Sequence, residues 1–111
     1  MAEYGEWNRK GATLRDVTAR KEYGVDSDFI ISAINAGKLE YRYREGTIHG
    51  NPYIRVLRSQ LEALIVEDLG NAYLRAWQEK TELREIKHET AELRKRLNEL
   101  AARRAEIEGR D

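Results

Sequence analysis

No glycine or proline occurs from Ala72 to Glu108, and alanine, leucine, glutamate, lysine and arginine dominate that run. All are good helix formers, so the stretch predicts a single helix about 55 Å long at 1.5 Å per residue. So long a helix cannot be covered by the small domain before it. Within it Leu83, Ile86, Thr90, Leu93, Leu97, Leu100, Arg104 and Ile107 follow one another at alternating steps of three and four. That spacing is a heptad seam, with Thr90 and Arg104 as polar interruptions. With Leu83 at position a, Glu82 and Glu89 fall at g, and Lys87 and Arg94 at e of the following heptads. In a parallel pair Glu82 meets Lys87, Glu89 meets Arg94 and Arg103 meets Glu108 of the other chain. An antiparallel pair can also match charges, setting Glu82 and Glu89 against Arg96 and Arg103. Residues 70–111 are therefore read as an oligomerisation helix, most simply of a homodimer. Tyr73 and Trp77 break the heptad phase and are expected to pack on the globular part or its partner copy.

Ahead of this helix the chain has room for one modest domain, over residues 13–69. Residues 1–12 show no sustained period and read as an N-terminal arm that docks one aromatic, Tyr4 or Trp7, onto the core. Arg9 and Lys10 in that arm are read as a solvated pair. Thr13-Leu14-Arg15-Asp16 has the spacing of a capping box and predicts a short helix to about Glu22. Gly24 can take the left-handed conformation that ends it. Asp26, Ser27 and Asp28 then offer cap oxygens and negative charge to a second helix, whose apolar residues Phe29, Ile30, Ile31, Ala33 and Ile34 run up to Gly37. Two short helices joined by a glycine turn make a helix-turn-helix.

From Glu40 to Arg44 tyrosine alternates with charge, the period of a strand. Gly46, Gly50, Asn51 and Pro52 supply turn chemistry, and Tyr53 to Leu57 reads as the return strand. Ser59-Gln60-Leu61-Glu62 is a second candidate capping box, opening a helix with Leu61, Leu64, Ile65 and Leu69 on one side and Gly70 at its end. The predicted architecture is mainly α with a small β-hairpin, followed by the long C-terminal helix.

Composition narrows the chemistry. The chain has no cysteine, so it has no disulfide, thiolate metal site or cysteine nucleophile. Glu85 and His88 have a spacing used in di-metal bundles, but both fall outside the seam and are read as solvated. His49 sits in a glycine-rich turn and reads as a surface residue. No phosphate loop or nucleophile elbow is present, so a non-enzyme without cofactor or metal is expected. No run is apolar enough to span a membrane and no leader is evident, so a cytoplasmic protein is expected. Twenty basic residues balance twenty acidic ones. Any positive surface must therefore come from placement, whereas a strong duplex binder usually carries a basic excess.

The elements and their order resemble the winged helix-turn-helix of phage excisionases and of MerR-type regulators. The resemblance rests on Gly24-Val25 before the second helix, Ile30 and Ile34 within it, Gly37-Lys38-Leu39 after it, and Arg55 through Leu64 after the hairpin. It implies a bacterial, archaeal or phage origin and binding to double-stranded DNA. The second helix would contribute Ser27, Ser32 and Asn35, although Asp26 and Asp28 stand beside them. The hairpin, or wing, would contribute Arg42, Arg44, His49, Asn51 and Arg55, with Lys38 and Arg58 at its ends. The expected function is that of a dimeric winged-helix DNA-binding protein, a small transcriptional regulator or a phage- or plasmid-type accessory factor. Two other readings fit the same residues. One is a protein-interaction module whose winged helix binds no DNA; the other is a packaging adaptor resembling the small subunit of phage terminases.

Overall fold

The computed structural model describes residues 5–44 and 52–110. It is mainly helical, with a small three-stranded antiparallel sheet and a long C-terminal helix. A 3-10 turn, Glu6–Asn8, precedes β1 (Thr13–Arg15), α1 (Asp16–Tyr23) and α2 (Ser27–Asn35). Then follow β2 (Tyr41–Arg44), β3 (Tyr53–Leu57), α3 (Arg58–Leu69) and α4 (Asn71–Glu108). The chain divides into two compact units, Met1–Gln78 and Glu79–Asp111.

The punctuation of the first unit follows local chemistry. Gly24 ends α1 at φ 72°, a left-handed conformation that costs a residue without Cβ nothing. The Asp26 carboxylate accepts the Phe29 amide at 2.9 Å and so caps α2. Gly70 closes α3 at φ 97°.

Both predicted capping boxes are overturned. Thr13 to Arg15 form a strand, α1 begins at Asp16, and its N-cap residue Arg15 gives no side-chain cap. Thr13 pairs with Leu57, and its hydroxyl accepts Arg55 Nε at 2.9 Å. Asp16 accepts the Ser27 hydroxyl at 3.0 Å instead of capping. α3 likewise begins one residue before Ser59, at Arg58, without a side-chain cap. Ser59 donates its hydroxyl to Glu6, and Glu62 accepts the Tyr23 hydroxyl at 2.6 Å. In each case a partner distant in sequence holds the side chain that a local cap would have used.

The strand order is β1-β3-β2. Directly opposed residues point to the same side of a sheet, so the register sorts the side chains into two faces. Leu14, Val56 and Tyr41 form one row on the inner face, with Ile54 and Tyr43 beside it. Leu14 and Val56 join Ala19 and Tyr23 of α1, Ile30 and Ala33 of α2, and Leu61, Leu64 and Ile65 of α3 in the core. Leu69, predicted on that side of α3, is 45% exposed because the helix has run past the core. Trp7 is buried, as expected of one aromatic in the N-terminal segment.

The first turns of α4 belong to the same unit. Tyr73 donates its hydroxyl to the Tyr23 carbonyl at 2.8 Å, and Gln78 donates to Glu62 at 3.2 Å. A Cβ at Gly24 would collide with the Trp77 indole, so α1 ends where that ring lies. The expectation that Tyr73 and Trp77 pack on the globular part is met.

Candidate nucleic-acid interface

The outer face of the sheet carries the alternate strand residues; at one end Leu57 is buried, and the arginines lie beyond it. Register places Arg15, Arg55 and Arg42 directly opposite one another across the three strands. Arg44 faces Tyr53 two pairs further along, on the same side. Four arginines thus share one side of a three-stranded sheet, and its strand residues on that side include no carboxylate. Like charges directly opposed across strands destabilise a sheet, by a few tenths to about 1 kcal/mol per pair.

Local contacts hold these side chains in place. The Arg15 guanidinium lies 4.1 Å from the centroid of the Tyr53 ring, and that of Arg42 lies 4.7 Å from that of Trp7. Such stacking positions a cation and leaves its charge intact. Arg55 donates Nε to the Thr13 hydroxyl and a second nitrogen to the Thr13 carbonyl at 3.1 Å, tying β3 to β1. Arg44 is exposed and forms no ion pair among the described residues.

The other candidates divide differently. Arg58 turns inward: it bonds Glu22 at 2.7 Å, the Tyr23 hydroxyl at 2.8 Å and the Gly11 carbonyl at 2.9 Å. Partial burial opposes its charge, but the bonds to Glu22 and Tyr23 outweigh that and hold its pKa above the ordinary value. It is a tie between α1 and α3, withdrawn from the interface. Lys38 pairs with Glu67 at 3.3 Å, both side chains being exposed.

Ser27, Ser32 and Asn35 lie exposed on α2, whose buried residues pack on the inner face of the sheet. Ser27 nonetheless lines a groove together with Arg15 and Tyr53. Around the α2 residues stand Asp26, Asp28 and Asp68, which line one shallow depression together with Ser32 and Lys38. His49 and Asn51 lie outside the described residues.

Arg15 is the member that sequence reasoning missed. Read as the third residue of a capping box, it belonged to a helix start. The signal that could have found it is the alternation of Thr13, Leu14 and Arg15, too short to recognise without its partner strand.

In the second unit the predicted seam residues all fall within α4. Leu83, Ile86, Leu93, Leu97, Leu100 and Ile107 are each half-exposed or nearly two-thirds exposed, and Thr90 is partly covered. Among the described residues no helix is long and apolar enough to cross a membrane. No protein-family model, curated protein or solved structure matches this chain.

Proposed function

We propose that this chain is a winged-helix DNA-binding protein that grips duplex phosphates with the outer face of its sheet. The role that suits it is that of a small transcriptional regulator or an accessory factor of phage or plasmid type. The observation that carries the reading is the row Arg15, Arg55 and Arg42, with Arg44 beside it. Neighbouring strands lie about 4.8 Å apart, so the row spreads three guanidinium stems over about 10 Å of surface. A phosphate backbone supplies the negative charge that would offset their repulsion, and each contact releases condensed counterions. The order of two short helices, paired strands and a third helix supports the winged-helix assignment.

In this reading the sheet, rather than α2, makes the phosphate contacts. Asp26 and Asp28 at the start of α2 repel phosphates, which leaves Ser32 and Asn35 poorly placed to lead. Arg44 and Arg15 are the members least committed to the fold, and Arg42 is positioned by Trp7. Phosphate contacts of this kind position a protein without reading sequence.

Fluorescence anisotropy with a mixed-sequence duplex tests the proposal. The wild-type protein binds at low salt and weakens steeply as salt is added. The triple variant Arg15→Gln, Arg42→Gln, Arg44→Gln unfolds at the same temperature and binds far more weakly. Wild-type affinity in that variant would remove the sheet face from the interface.

One observation favours a second reading, a protein-interaction module. Ile31, Tyr43, Pro52 and Ile54 line a groove of about 300 Å³ between α2 and the sheet, and Tyr43 is 63% exposed. Absence of duplex binding even at low salt would make that groove the leading site.

A further inference from the structure

The seam of α4 presents large apolar side chains to water over its whole length. Leu83, Ile86, Leu93, Leu97, Leu100 and Ile107 are between 49% and 66% exposed, and no residue of α4 is buried. The helix does not need them for its own stability. Arg104 bonds Glu108 at 2.7 Å, Arg103 pairs with Glu106 at 3.1 Å, and Arg110 with Glu106 at 2.9 Å. Such pairs at i,i+3 and i,i+4 already support an exposed helix. A straight apolar line repeating every seven residues is what a second helix requires.

We infer that residues 83–107 form the seam of a parallel, in-register, two-stranded coiled coil with a second copy of this chain. Among alignments that use the whole seam, charge favours the parallel one. The antiparallel pairing of Glu82 and Glu89 with Arg96 and Arg103 sets Leu83 opposite Leu100 and leaves Ile107 out. In the parallel alignment Glu82 meets Lys87 of the second copy, Glu89 meets Arg94 and Arg103 meets Glu108, while Arg96 meets the neutral Ala101. None of these flanking pairs repels. In the antiparallel alignment with full overlap, Leu83 stands opposite Ile107. That arrangement sets Arg94 against Arg94 and Arg96 against Arg96 on either side of the two-fold axis.

The layers agree. In register, Thr90 faces Thr90, each apolar layer faces itself, and Arg104 faces Arg104 with each guanidinium drawn outward by its own Glu108. Reversed, Thr90 would face Leu100 and Arg104 would face Ile86, burying polar groups against apolar ones.

Arg104 also limits the number of strands. Its side chain is 80% exposed and held outward by Glu108. An a-position side chain can turn out to water in this way only in a dimer, because three or four strands would enclose it. Isoleucines at d, here Ile86 and Ile107, are compatible with larger bundles; the polar layers at 90 and 104 oppose them. The inference stands on α4 alone and does not rest on the DNA reading. If both hold, the two chains enter the coil at the same end. The coil then joins two arginine faces in one molecule, with the gain that effective concentration provides.

The full chain carries no cysteine, so an introduced thiol reports on one position only. Leu83→Cys and Arg104→Cys are made separately, each at a residue exposed in the single chain, and oxidised under mild conditions. Each variant is expected to form a disulfide-linked dimer by itself. Sedimentation equilibrium of the wild-type protein is expected to give twice the chain mass. Cross-linking only when Leu83→Cys is mixed with Ile107→Cys would establish the antiparallel form and overturn the inference. A wild-type monomer, or a mass of three or four chains, would overturn it as well.

Discussion

The two faces of the small sheet share three strands and almost nothing else. On the inner face Leu14 and Val56 are 2% and 1% exposed and meet α1, α2 and α3 in one core. Burial explains those choices, at about 25 cal/mol for each Å² of apolar surface removed from water. On the outer face, one residue away along each strand, Arg15, Arg55 and Arg42 stand opposite one another. Edge strands are often protected by charge, but Arg55 lies on the central strand, where no edge needs protection. Core burial accounts for one face, whereas packing explains only part of the other, where Leu57 is buried and Arg55 is tied to Thr13. That second face carries a cost in repulsion that a negatively charged partner would offset.

The contrast is sharpest for Leu14, buried at the centre of the inner face. Leu14→Ala is expected to cost about 3 kcal/mol, the usual penalty for emptying a well-packed site, read as a lower urea midpoint. Arg58→Leu comes next, at about 2 kcal/mol, because it leaves Glu22 and the Tyr23 hydroxyl without their shared partner in a half-buried setting. A loss below about half a kcal/mol in the same titration would return Arg58 to the candidate interface.

The third effect is confined to alkaline pH. Burial, and then the hydrogen bond to the Glu62 carboxylate, hold the Tyr23 phenol well above the usual tyrosine range, against the pull of Arg58. The folded state therefore keeps a proton that the unfolded chain releases near pH 10 (about the free tyrosine value). This contribution is fully present below that pH and is lost as pH rises toward the folded pKa. Melting temperature should fall above about pH 10 more steeply in the wild type than in Tyr23→Phe. Parallel curves for the two proteins would show that Tyr23 does not carry the alkaline loss. Smallest of all is the effect of outer-face changes on stability. Arg15→Gln with Arg44→Gln should move the urea midpoint by no more than about half a kcal/mol, in either direction, since like-charge repulsion is relieved as stacking on Tyr53 is lost.

Elements whose signals are local were legible from sequence. The limits of α2 follow from the Asp26 cap and the glycine at 37, the end of α1 from Gly24, and α4 from an unbroken run of helix formers. β2 and β3 were visible in the alternation of tyrosine with arginine and in the apolar return strand. β1 was not, because three residues carry too little period and their partner lies more than forty positions on. Without β1, Thr13 and Asp16 imitate a cap, Arg15 disappears into a helix start, and the arginine row cannot be seen. Arg58 was misjudged for a related reason. Nothing beside it in sequence reveals that Glu22, Tyr23 and Gly11 converge on it in space. The winged-helix resemblance also joined α2 and the hairpin arginines in one interface; the register adds Arg15 to those arginines, and the acidic residues Asp26, Asp28 and Asp68 gather beside Ser32.

The most direct test of the account compares salt dependence on the two faces. Duplex affinity is measured by anisotropy across a salt series for the wild type, for Arg15→Gln with Arg44→Gln, and for Ser32→Ala with Asn35→Ala on α2. Each lost phosphate contact should lower the slope of log affinity against log salt by about one. The arginine variant is expected to lose about two from the slope, while the α2 variant keeps the wild-type slope. An unchanged slope in the arginine variant, together with a loss in the α2 variant, would contradict it.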